Sequence, residues 1–468
     1  MIDDSQRIVG SRSVPLAVTR PRDGWSEQDP ASWITGVGAA LDGLRSDHPR
    51  EMAAVRGIGL SGQMHGATVL DAADQPLRPC VLWNDGRAAE EAAELDGDPR
   101  FRAITGNIVF PGFTAPKLVW MARNEPDLFR RVAKVLLPKD YVRLWLTGEH
   151  VSDMSDSAGT SWLDTGRRQW SSDLLGATGL DVDRMPRLVE GTEVSGTLRQ
   201  DLRERWGISS TGVVVAGGAG DNAASACGVG TVPPGTAFVS LGTSGVLFAS
   251  SESYSPNPDR AVHTFCHAIP GTWHQMGVIL AATASLEWLA MVTGKSADAL
   301  TASLGDTLRP PAATAFLPYL SGERTPHDDA AIRGAFVGIG HGTDVAALTQ
   351  AVLEGVAFAF ADCRDVLGGV LRATAVGGGS RSRYWLALLA TCLEAPIDVP
   401  ADGDFGAAFG AARLGLIAAT DADPLDVCTP PDIRETIDPD PRLVDAFRNA
   451  HSSWRGLYPA LRDIRPGA

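Results

Sequence analysis

Three short turns of small residues, each placed directly after an apolar stretch, constrain the possible folds of this chain more than any other feature. They are GGAGDN at 217–222, LGTSG at 241–245 and GGGSRS at 377–382. Glycine lets a backbone approach a ligand closely, and a helix that follows such a turn offers unpaired N–H groups to an anion. Taken singly, such a turn is more often only a tight connection. Together the three predict an α/β fold with a nucleotide cleft at the ends of its strands.

The rest of the chain fits this interpretation, because strand-like and helical stretches alternate along it. At about 100–200 residues per domain, 468 residues predict two domains, or at most three. TVPPG at 231–235 interrupts the pattern and marks the predicted boundary between a first domain, 1–230, and a second, 231–468. The segment from Thr343 has the spacing of a long buried helix, and 68–83 has a hairpin-like pattern.

The charge of the chain excludes some classes of partner. Its net charge is −15. Such a surface repels phosphate backbones and anionic lipids, so we expect neither a nucleic-acid nor a membrane partner. A phosphate-bearing ligand must then be held locally by backbone N–H groups, a metal ion or a few placed side chains.

The cysteines and the start of the chain favour a cytoplasmic protein. The six cysteines contain no C-x-x-C pair, which argues against a zinc cluster or a disulfide framework. The start MIDDSQRIVG does not have the pattern of a signal peptide, and no apolar run approaches about 18 residues. His263 and His267 are spaced for one helix face, but no third ligand stands nearby, so we assign no protein-held metal.

Asp221 is the one carboxylate inside the three turns, and Asn222 follows it. An aspartate at the end of a strand, facing a cleft, can accept a hydroxyl proton during phosphoryl transfer. The alternative is that Asp221 caps the helix NAASACGVG. From spacing alone the two roles are equally supported, and they are compatible with each other.

Two other strand ends carry side chains suited to a polyol. QMHG at 63–66 follows one strand, and WNDGR at 83–87 follows another. Met64 offers an apolar surface and His65 a neutral hydrogen-bond donor, as a polyol pocket requires. A lone histidine is more often packed and satisfied, however, and Trp83 could equally serve the core.

In their sequence context these motifs resemble the FGGY family of carbohydrate kinases, in particular its xylulokinase branch. The resemblance covers nearly the whole chain, and QMHGAT with WNDGR and AGGAGDNAA are its most specific parts. One family signature falls on GFTAPKLVWMARN, with Lys117 and Trp120 in place. In the other, GAFVGIGHGTDVAALTQAVLE, Ala347 stands where a polar residue is usual. The remaining stretches that carry the likeness are ITGNIVFPGF, LLPKDYVRLWLTGE, SDMSDSAGTSWLD, VSLGTSGV, FLPYLSGERTPH and VGGGSRSRYW.

The resemblance implies two ribonuclease H-like domains, of the actin and hexokinase type, with an ATP cleft between them. It implies that the γ-phosphate of MgATP is transferred to the 5-hydroxyl of D-xylulose, a step of pentose catabolism. By motif match Asp221 would be the catalytic base and would also contact the sugar. Met64, His65 and Asn222 would be further sugar contacts. The residues that it places at ATP are Gly242, Thr243 and Ser244 on the phosphates, and Gly378, Gly379 and Ser382 on the adenosine. Because family members are often dimeric, a homodimer is one implied assembly.

The resemblance also raises an expectation about the first domain. In this family each domain opens with a β-hairpin whose turn meets the phosphates, and VSLGTSGV is the second copy. The first copy, an apolar strand running into D-x-G-T-S-x-x-K, would precede MIDDSQRIVGS, so a strand and a metal-side aspartate are expected to be missing. A start codon placed too far downstream would explain this, and the in-frame codons before Met1 would test it. Without a central strand, buried backbone groups would cost about 1–3 kcal/mol each, so the chain as written is expected to be unstable or impaired.

Two other functions stay open from the sequence. One is a sugar- or nucleotide-binding protein derived from a kinase, without catalysis. The other is a kinase for a related pentulose or hexulose, because selectivity depends on pocket contacts that a sequence does not resolve.

Overall fold

The computed structural model describes residues 1–401 and 406–464. Its first lobe contains short strands interspersed with helices. The described strands of this lobe are β1 (Glu27–Gln28), β2 (Gly57–Ile58), β3 (Ser61–Gly62), β4 (Thr68–Leu70), β5 (Cys80–Val81), β6 (Lys134–Leu136), β7 (Val151–Asp153), β8 (Leu163–Asp164), β9 (Gln169–Trp170), β10 (Arg187–Val189), β11 (Val194–Thr197), β12 (Val214–Ala216) and β13 (Ala219–Gly220). The described helices are α1 (Pro30–Asp47), α2 (Pro49–Ala53), α3 (Ala89–Asp96), α4 (Pro99–Thr105), α5 (Thr114–Asn124), α6 (Pro126–Phe129), α7 (Pro138–Thr147), α8 (Met154–Ser157), α9 (Ser172–Ala177), α10 (Gln200–Arg205) and α11 (Asp221–Val229).

The second lobe has longer strands. Those described are β14 (Thr236–Leu241), β15 (Gly245–Ser251), β16 (His263–Cys266), β17 (Trp273–Ile279), β18 (Ala315–Leu317), β19 (Ala335–Val337), β20 (Arg372–Val376), β21 (Ile397–Pro400) and β22 (Ile433–Ile437). The described helices are α12 (Thr283–Thr293), α13 (Ala297–Ala302), α14 (Val345–Val366), α15 (Arg383–Leu393), α16 (Ala407–Thr420), α17 (Pro424–Val427), α18 (Val444–Arg455) and α19 (Leu457–Leu461). Short 3-10 helices in the two lobes cover Ala158–Thr160, Val182–Arg184, Pro258–Arg260 and Gly378–Arg381.

The second lobe is built on one seven-stranded mixed sheet, with the spatial order β16-β17-β15-β14-β20-β21-β22. The strand β14 runs antiparallel to β15 on one side and parallel to β20 on the other. The parallel part continues into β21, and β17 pairs with β15 over seven residues. A large apolar core lies between this sheet and the helices α12, α14 and α15.

The long buried helix predicted from Thr343 is confirmed as α14. Every residue from Thr349 to Cys363 in this helix is buried. By length and composition α14 could also cross a membrane, but 78% of its most apolar window is buried inside the molecule. We therefore interpret it as the core helix of the second lobe.

The first lobe lacks a comparable continuous sheet within the described residues. Its three-stranded piece has the order β11-β12-β2, in which β12 and β2 are parallel. The strand β13 pairs in parallel with β3, and β4 pairs with β6. No described strand lies on the other edge of β2. A cavity of about 660 Å³ borders β2, and another of about 360 Å³ borders β3 near Val14 and Leu16.

Local signals in the sequence predict several helix ends correctly. The Asp29 carboxylate accepts the N–H of Ala31 at 2.9 Å, and α1 begins at Pro30. Gly148 ends α7 in the left-handed conformation, with φ at 81°, as its position in the sequence predicts.

The hairpin-like pattern of residues 68–83 is partly confirmed: isolated antiparallel bridges join Leu70 to Pro76 and Ala67 to Val81, and the N–H of Leu77 donates to the carbonyl of Val69 at 2.9 Å, but the regular strand pairs lie elsewhere. The strand β4 pairs with β6, and β5 pairs with β1. Asp71 closes a local turn by accepting the N–H groups of Ala73 and Gln75. Pro76 and Pro79 then remove two backbone donors, so the returning segment cannot form a regular ladder with β4.

The helices α11 and α16 join the two lobes. A Cβ atom on Gly410 of α16 would lie 1.7 Å from the carbonyl oxygen of Ala224 in α11, so no larger residue fits there. On the same helix, the carbonyl of Ala411 contacts Gly59 of the first lobe, where a Cβ would lie 1.6 Å from it. The predicted boundary at 231–235 falls between α11 and β14, and it stays a prediction.

Candidate active site

Asp221 is the first residue of α11, directly after β13. Its Oδ1 atom accepts the backbone N–H of Asn222 at 2.9 Å and the Asn222 side-chain amide at 3.2 Å. Burial raises the pKa of the Asp221 carboxyl. Gly220 occupies the N-cap position and no side chain caps the helix, so the capping interpretation of Asp221 is wrong. The partly buried carboxylate therefore stands at the end of β13 with no ion-pair partner among the described residues.

The backbone immediately before Asp221 is held from two sides. The Ser155 hydroxyl accepts the N–H of Gly220 at 3.1 Å, and the same hydroxyl donates to the Asp153 carboxylate. On the other side, Met64 packs so closely that a Cβ on Gly220 would lie 2.8 Å from its Cγ atom. Met64 and Asp221 are therefore brought into one site, as the sequence analysis expects of a pocket residue and a base.

His65 lies next to Met64 in the left-handed conformation, with φ at 70°. Its ring is stacked on Phe113, with centroids 4.4 Å apart. Burial lowers the pKa of His65 to about 3, and the charges of Lys117 and Arg324 add to the shift, so the ring is neutral. Nδ1 donates to the Gly159 carbonyl at 2.7 Å, which leaves Nε2 as an acceptor. Toward a ligand, His65 thus offers an acceptor rather than the donor that we expected.

Lys117 fixes the strained backbone of His65. Its Nζ atom donates to the carbonyl of His65 at 2.8 Å and to the carbonyl of Gly112 at 2.7 Å. The side chain is fully buried, and burial lowers its pKa to about 7. The sequence analysis noted Lys117 in a signature without giving it a role. The sequence indicates that a lysine on a buried helix face needs hydrogen-bond acceptors, but it does not show which groups accept.

The nucleotide-side turns lie side by side at one edge of the second sheet. Gly242, Thr243 and Ser244 form the turn between β14 and β15, and the latter two are exposed. Because β14 and β20 are adjacent and parallel, the GGGSRS turn emerges beside them. A Cβ on Gly379 would lie 2.9 Å from the Cβ of Leu241, the last residue of β14. The LGTSG and GGGSRS turns therefore share one surface.

The start of α12 completes this surface, and sequence reasoning missed it. The carbonyl of Thr243 accepts the N–H of Ala282 at 2.9 Å, and the carbonyl of Gly242 accepts the N–H of Thr283 at 2.9 Å. The methyl of Thr283 lies 3.2 Å from a Cβ built on Gly379. Hydrogen-bonded backbone at three adjacent segments gives this edge a fixed shape.

The structure also locates the remaining candidate residues from the sequence. Ser382 caps α15 by accepting the N–H of Trp385 at 3.3 Å, and Gly378 lies exposed in the 3-10 helix before it. Trp83 is 54% exposed and so does not serve the core. His263 lies in the strand β16, so the idea that it shares a helix face with His267 is wrong. No group of three or more His, Cys, Asp or Glu side chains in 1–401 or 406–464 is placed to hold a metal.

The sugar-side residues and the second sheet belong to one apolar cluster. Met64, Phe110 and Phe113 of the first lobe pack in the same cluster as Phe265 and Met276 of the second. The lobes are also joined here by Asn107, whose side chain donates to the Thr264 carbonyl at 2.9 Å and accepts the Thr264 N–H at 2.9 Å. Met64 and the ring that stacks on His65 therefore lie against the second lobe, which carries the LGTSG and GGGSRS turns.

Comparison with known proteins identifies the fold and the chemistry. The N-terminal domain of the FGGY family of carbohydrate kinases matches residues 1–228, and the C-terminal domain of that family matches residues 237–419. The chain belongs to the FGGY family of carbohydrate kinases. As an FGGY member it is an ATP-dependent sugar kinase, whose substrates are ATP and a small sugar. The predicted fold class, two actin- and hexokinase-like α/β domains, is confirmed.

Individual relatives of this FGGY kinase include xylulose kinases. The xylulose kinase of Escherichia coli (strain K12) is 45% identical over 468 residues, which cover 98% of this chain and 96% of that protein. The crystal structure of a "xyloylose kinase" from Brucella ovis is 62% identical with a TM-score of 0.97, covering 99% of this chain and 96% of that one. A glycerol kinase from Plasmodium falciparum, solved with ADP, has a TM-score of 0.88 at 18% identity over 98% of this chain and 94% of that one, a likeness of fold alone.

Proposed function

We propose that this FGGY kinase transfers the γ-phosphate of MgATP to the 5-hydroxyl of D-xylulose and releases D-xylulose 5-phosphate and ADP. One observation carries the proposal: the carboxylate of Asp221, at the end of β13, directly follows Gly220, which packs against Met64, the neighbour of His65. The similarity to xylulose kinases, up to 62% identity, supports the choice of substrate.

In the proposed reaction Asp221 acts as the general base. Its carboxylate accepts the proton of the 5-hydroxyl while that oxygen attacks the γ-phosphorus. The new P–O bond forms as the bond from the γ-phosphorus to the β–γ bridging oxygen breaks, and ADP leaves with the electron pair. Met64, His65 and Asn222 hold the sugar, and Lys117 fixes the backbone of His65.

We propose that ATP lies across the adjacent turns of the second lobe. Thr243 and Ser244, with Gly242, would face the phosphates, and Gly378, Gly379 and Ser382 would border the adenosine. A chain with a net charge of −15 needs local neutralisation at this edge. Mg²⁺ that arrives with ATP and the backbone N–H groups of the turns would supply it. A cytoplasmic location and a homodimer remain part of the proposal.

The substitution Asp221→Asn tests this function. We expect kcat to fall by about 10²–10⁴-fold, the usual contribution of a general base, with little change in melting temperature. Asp298→Asn is the matched control, because Asp298 is an exposed aspartate in the first turn of another helix, α13, and should keep full activity. The measurement is ADP formation with MgATP and a panel of ketoses and polyols, with the phosphorylated carbon assigned by phosphorus NMR.

The pH dependence provides a second readout. Because burial raises the pKa of Asp221, the acid limb of kcat/KM should lie at higher pH than the ordinary aspartate value. His65, with a pKa of about 3, stays neutral over that limb. Normal ADP release by Asp221→Asn would overturn the assignment of the base. Binding of D-xylulose by the wild-type chain without any ADP release would favour a non-catalytic protein.

A further inference from the structure

Arg324 is a partly buried cation that forms no direct ion pair with a described carboxylate, although Asp328 and Glu323 lie close enough to act on its charge. It lies in the connection between β18 and β19, within the segment SGERTPH. Among the residues that the structure describes, no carboxylate lies within ion-pair distance of its guanidinium. Burial lowers its pKa, and the charges of Asp328 and Glu323 offset only part of that shift. A guanidinium has five N–H donors, and leaving them without acceptors in a buried site is costly.

The contacts of Arg324 place it on the sugar side of the cleft. Its guanidinium carbon lies 4.6 Å from the centroid of Phe110, a residue of the first lobe. Its Nη1 atom donates to Nε2 of His263 at 3.4 Å, and burial keeps that imidazole neutral by lowering its pKa. Phe113, which stacks on His65, lies 5.8 Å from the His263 ring. A continuous line of rings thus connects Arg324 to His65.

The backbone around Arg324 is rigid. The Glu323 carboxylate accepts the N–H of Arg324 at 2.7 Å and the N–H of Leu280 at 2.9 Å. Thr325 forms two hydrogen bonds with Val278. Its backbone N–H donates to the Val278 carbonyl, and its hydroxyl accepts the Val278 N–H, both at 3.0 Å. The guanidinium is therefore presented from a fixed base at the end of β17, as a preorganised binding group requires.

The position of Arg324 relative to Asp221 suggests which part of the sugar it meets. Asp221 follows Gly220, which packs on Met64 beside the His65 end of the ring line, and Arg324 is at the opposite end. In the proposed reaction Asp221 faces the 5-hydroxyl of an open-chain ketose. The far end of that chain carries the 2-carbonyl and the 1-hydroxyl, two adjacent oxygens that can accept from the planar fork of one guanidinium.

We propose that Arg324 is a specificity-determining residue that binds the C1–C2 end of the ketose, donating to the 1-hydroxyl and 2-carbonyl oxygens. This inference rests on the proposed function. Because Arg324 belongs to the second lobe and packs on Phe110 of the first, it also makes sugar binding depend on the approach of the two lobes.

A comparison of two sugars in two proteins tests the proposal. D-Xylulose and 1-deoxy-D-xylulose, which lacks the 1-hydroxyl, are assayed with the wild-type chain and with Arg324→Met. The variant keeps the apolar stem over Phe110 and loses the donors. We expect its KM for D-xylulose to rise about 10- to 100-fold, with KM for ATP unchanged. Removing the 1-hydroxyl should raise KM in the wild type and have little effect in the variant.

Arg333→Met is the matched control, because Arg333 is exposed in the same connection and donates only to backbone carbonyls. If Arg324→Met does not fold by thermal melting, Arg324→Lys retains the charge without the fork and should show an intermediate rise in KM. An equal penalty for the missing 1-hydroxyl in wild type and variant would overturn the role of Arg324. Absence of D-xylulose phosphorylation by the wild type would instead overturn the proposed function.

Discussion

The two lobes of this kinase reach stability by different means. In the second lobe the strands β15 and β17 pair over seven residues, and an apolar core covers the sheet. In the first lobe the described strands are two to four residues long and pair in separate pieces. A short ladder fixes few backbone groups, so the first lobe depends more on side chains to hold its loops.

The side chains that do so form a buried ionic cluster. Lys139 Nζ lies 2.5 Å from Asp140, 2.7 Å from Asp153 and 3.1 Å from Asp156, and all four side chains are almost fully buried. Burial raises the pKa of Asp156 well above its ordinary value, the neighbouring charges of Asp140 and Asp153 add to the shift, and the Lys139 ammonium opposes it. Nearby, Arg143 donates to the carbonyl of Ala216 at 2.6 Å. The first lobe thus adds a buried ionic cluster to its smaller apolar clusters, whereas the second lobe is organised around one large apolar core.

Among the substitutions that test this difference between the lobes, Lys139→Met is expected to have the largest effect. It removes the cation and leaves the carboxylates buried, which should destabilise the first lobe by about 3–5 kcal/mol. Calorimetry should show an early transition for the first lobe and an unmoved transition for the second. Lys295→Met, at an exposed lysine of the second lobe, should change neither. Equal shifts of both transitions would contradict the contrast.

A smaller effect is expected from Ser155→Ala. The substitution removes the acceptor for the Gly220 N–H and a donor to Asp153, at a cost of about 1–3 kcal/mol. Because Gly220 precedes Asp221, kcat should fall while KM for ATP stays the same. Ser155→Thr retains the hydroxyl and should restore kcat more than it restores the melting temperature. A loss of stability with normal kcat would show that Ser155 does not position the base.

The smallest effect concerns pH and the second lobe. Glu354 accepts the N–H of Ala312 with both oxygens, at 3.1 and 3.0 Å, and burial raises its pKa to about 7. The folded state therefore binds this proton more tightly than the unfolded state does. Stability should decrease as the pH rises from about 4.5 toward 7, because in this range the carboxyl is ionised in the unfolded state but keeps its proton in the folded state, so unfolding releases a proton.

Glu354→Gln removes that titration. Denaturant unfolding at several pH values gives the free energy of unfolding as a function of pH. Between pH 4.5 and 7 this free energy should decrease less steeply with pH in the variant than in the wild type. Glu287→Gln, on the outer side of α12, is the control and should keep the wild-type slope. The same pH dependence of the free energy of unfolding in Glu354→Gln and the wild type would exclude Glu354 as its source.

Sequence reasoning succeeded where the signal was local. The spacing along α14, the cap at Asp29 and the stop at Gly148 each depend on a few neighbouring residues. The meeting of the LGTSG and GGGSRS turns could also be predicted, because adjacent parallel strands end at the same edge of a sheet.

Sequence reasoning failed where partners are distant in the chain. The bond from Gly220 to Ser155 spans 65 positions, and that from Lys117 to the His65 carbonyl spans 52. The hairpin-like return at 68–83 forms only isolated bridges, because the regular partner of β4 is the distant strand β6. The side chains were visible in the sequence, but the choice among buried acceptors depends on tertiary packing.

The contact between α11 and α16 has a mechanical consequence. At Gly410 the backbone of one helix touches the backbone of the other, so no side chain interlocks across that point. Close by, Arg413 of α16 donates to the carbonyls of Cys227 and Gly228 in α11, at 2.8 and 3.1 Å, so the two helices are held in register. A kinase that shields ATP from water has to close its cleft. The junction between the two lobes is a close backbone contact reinforced by hydrogen bonds, so cleft closure has to preserve it.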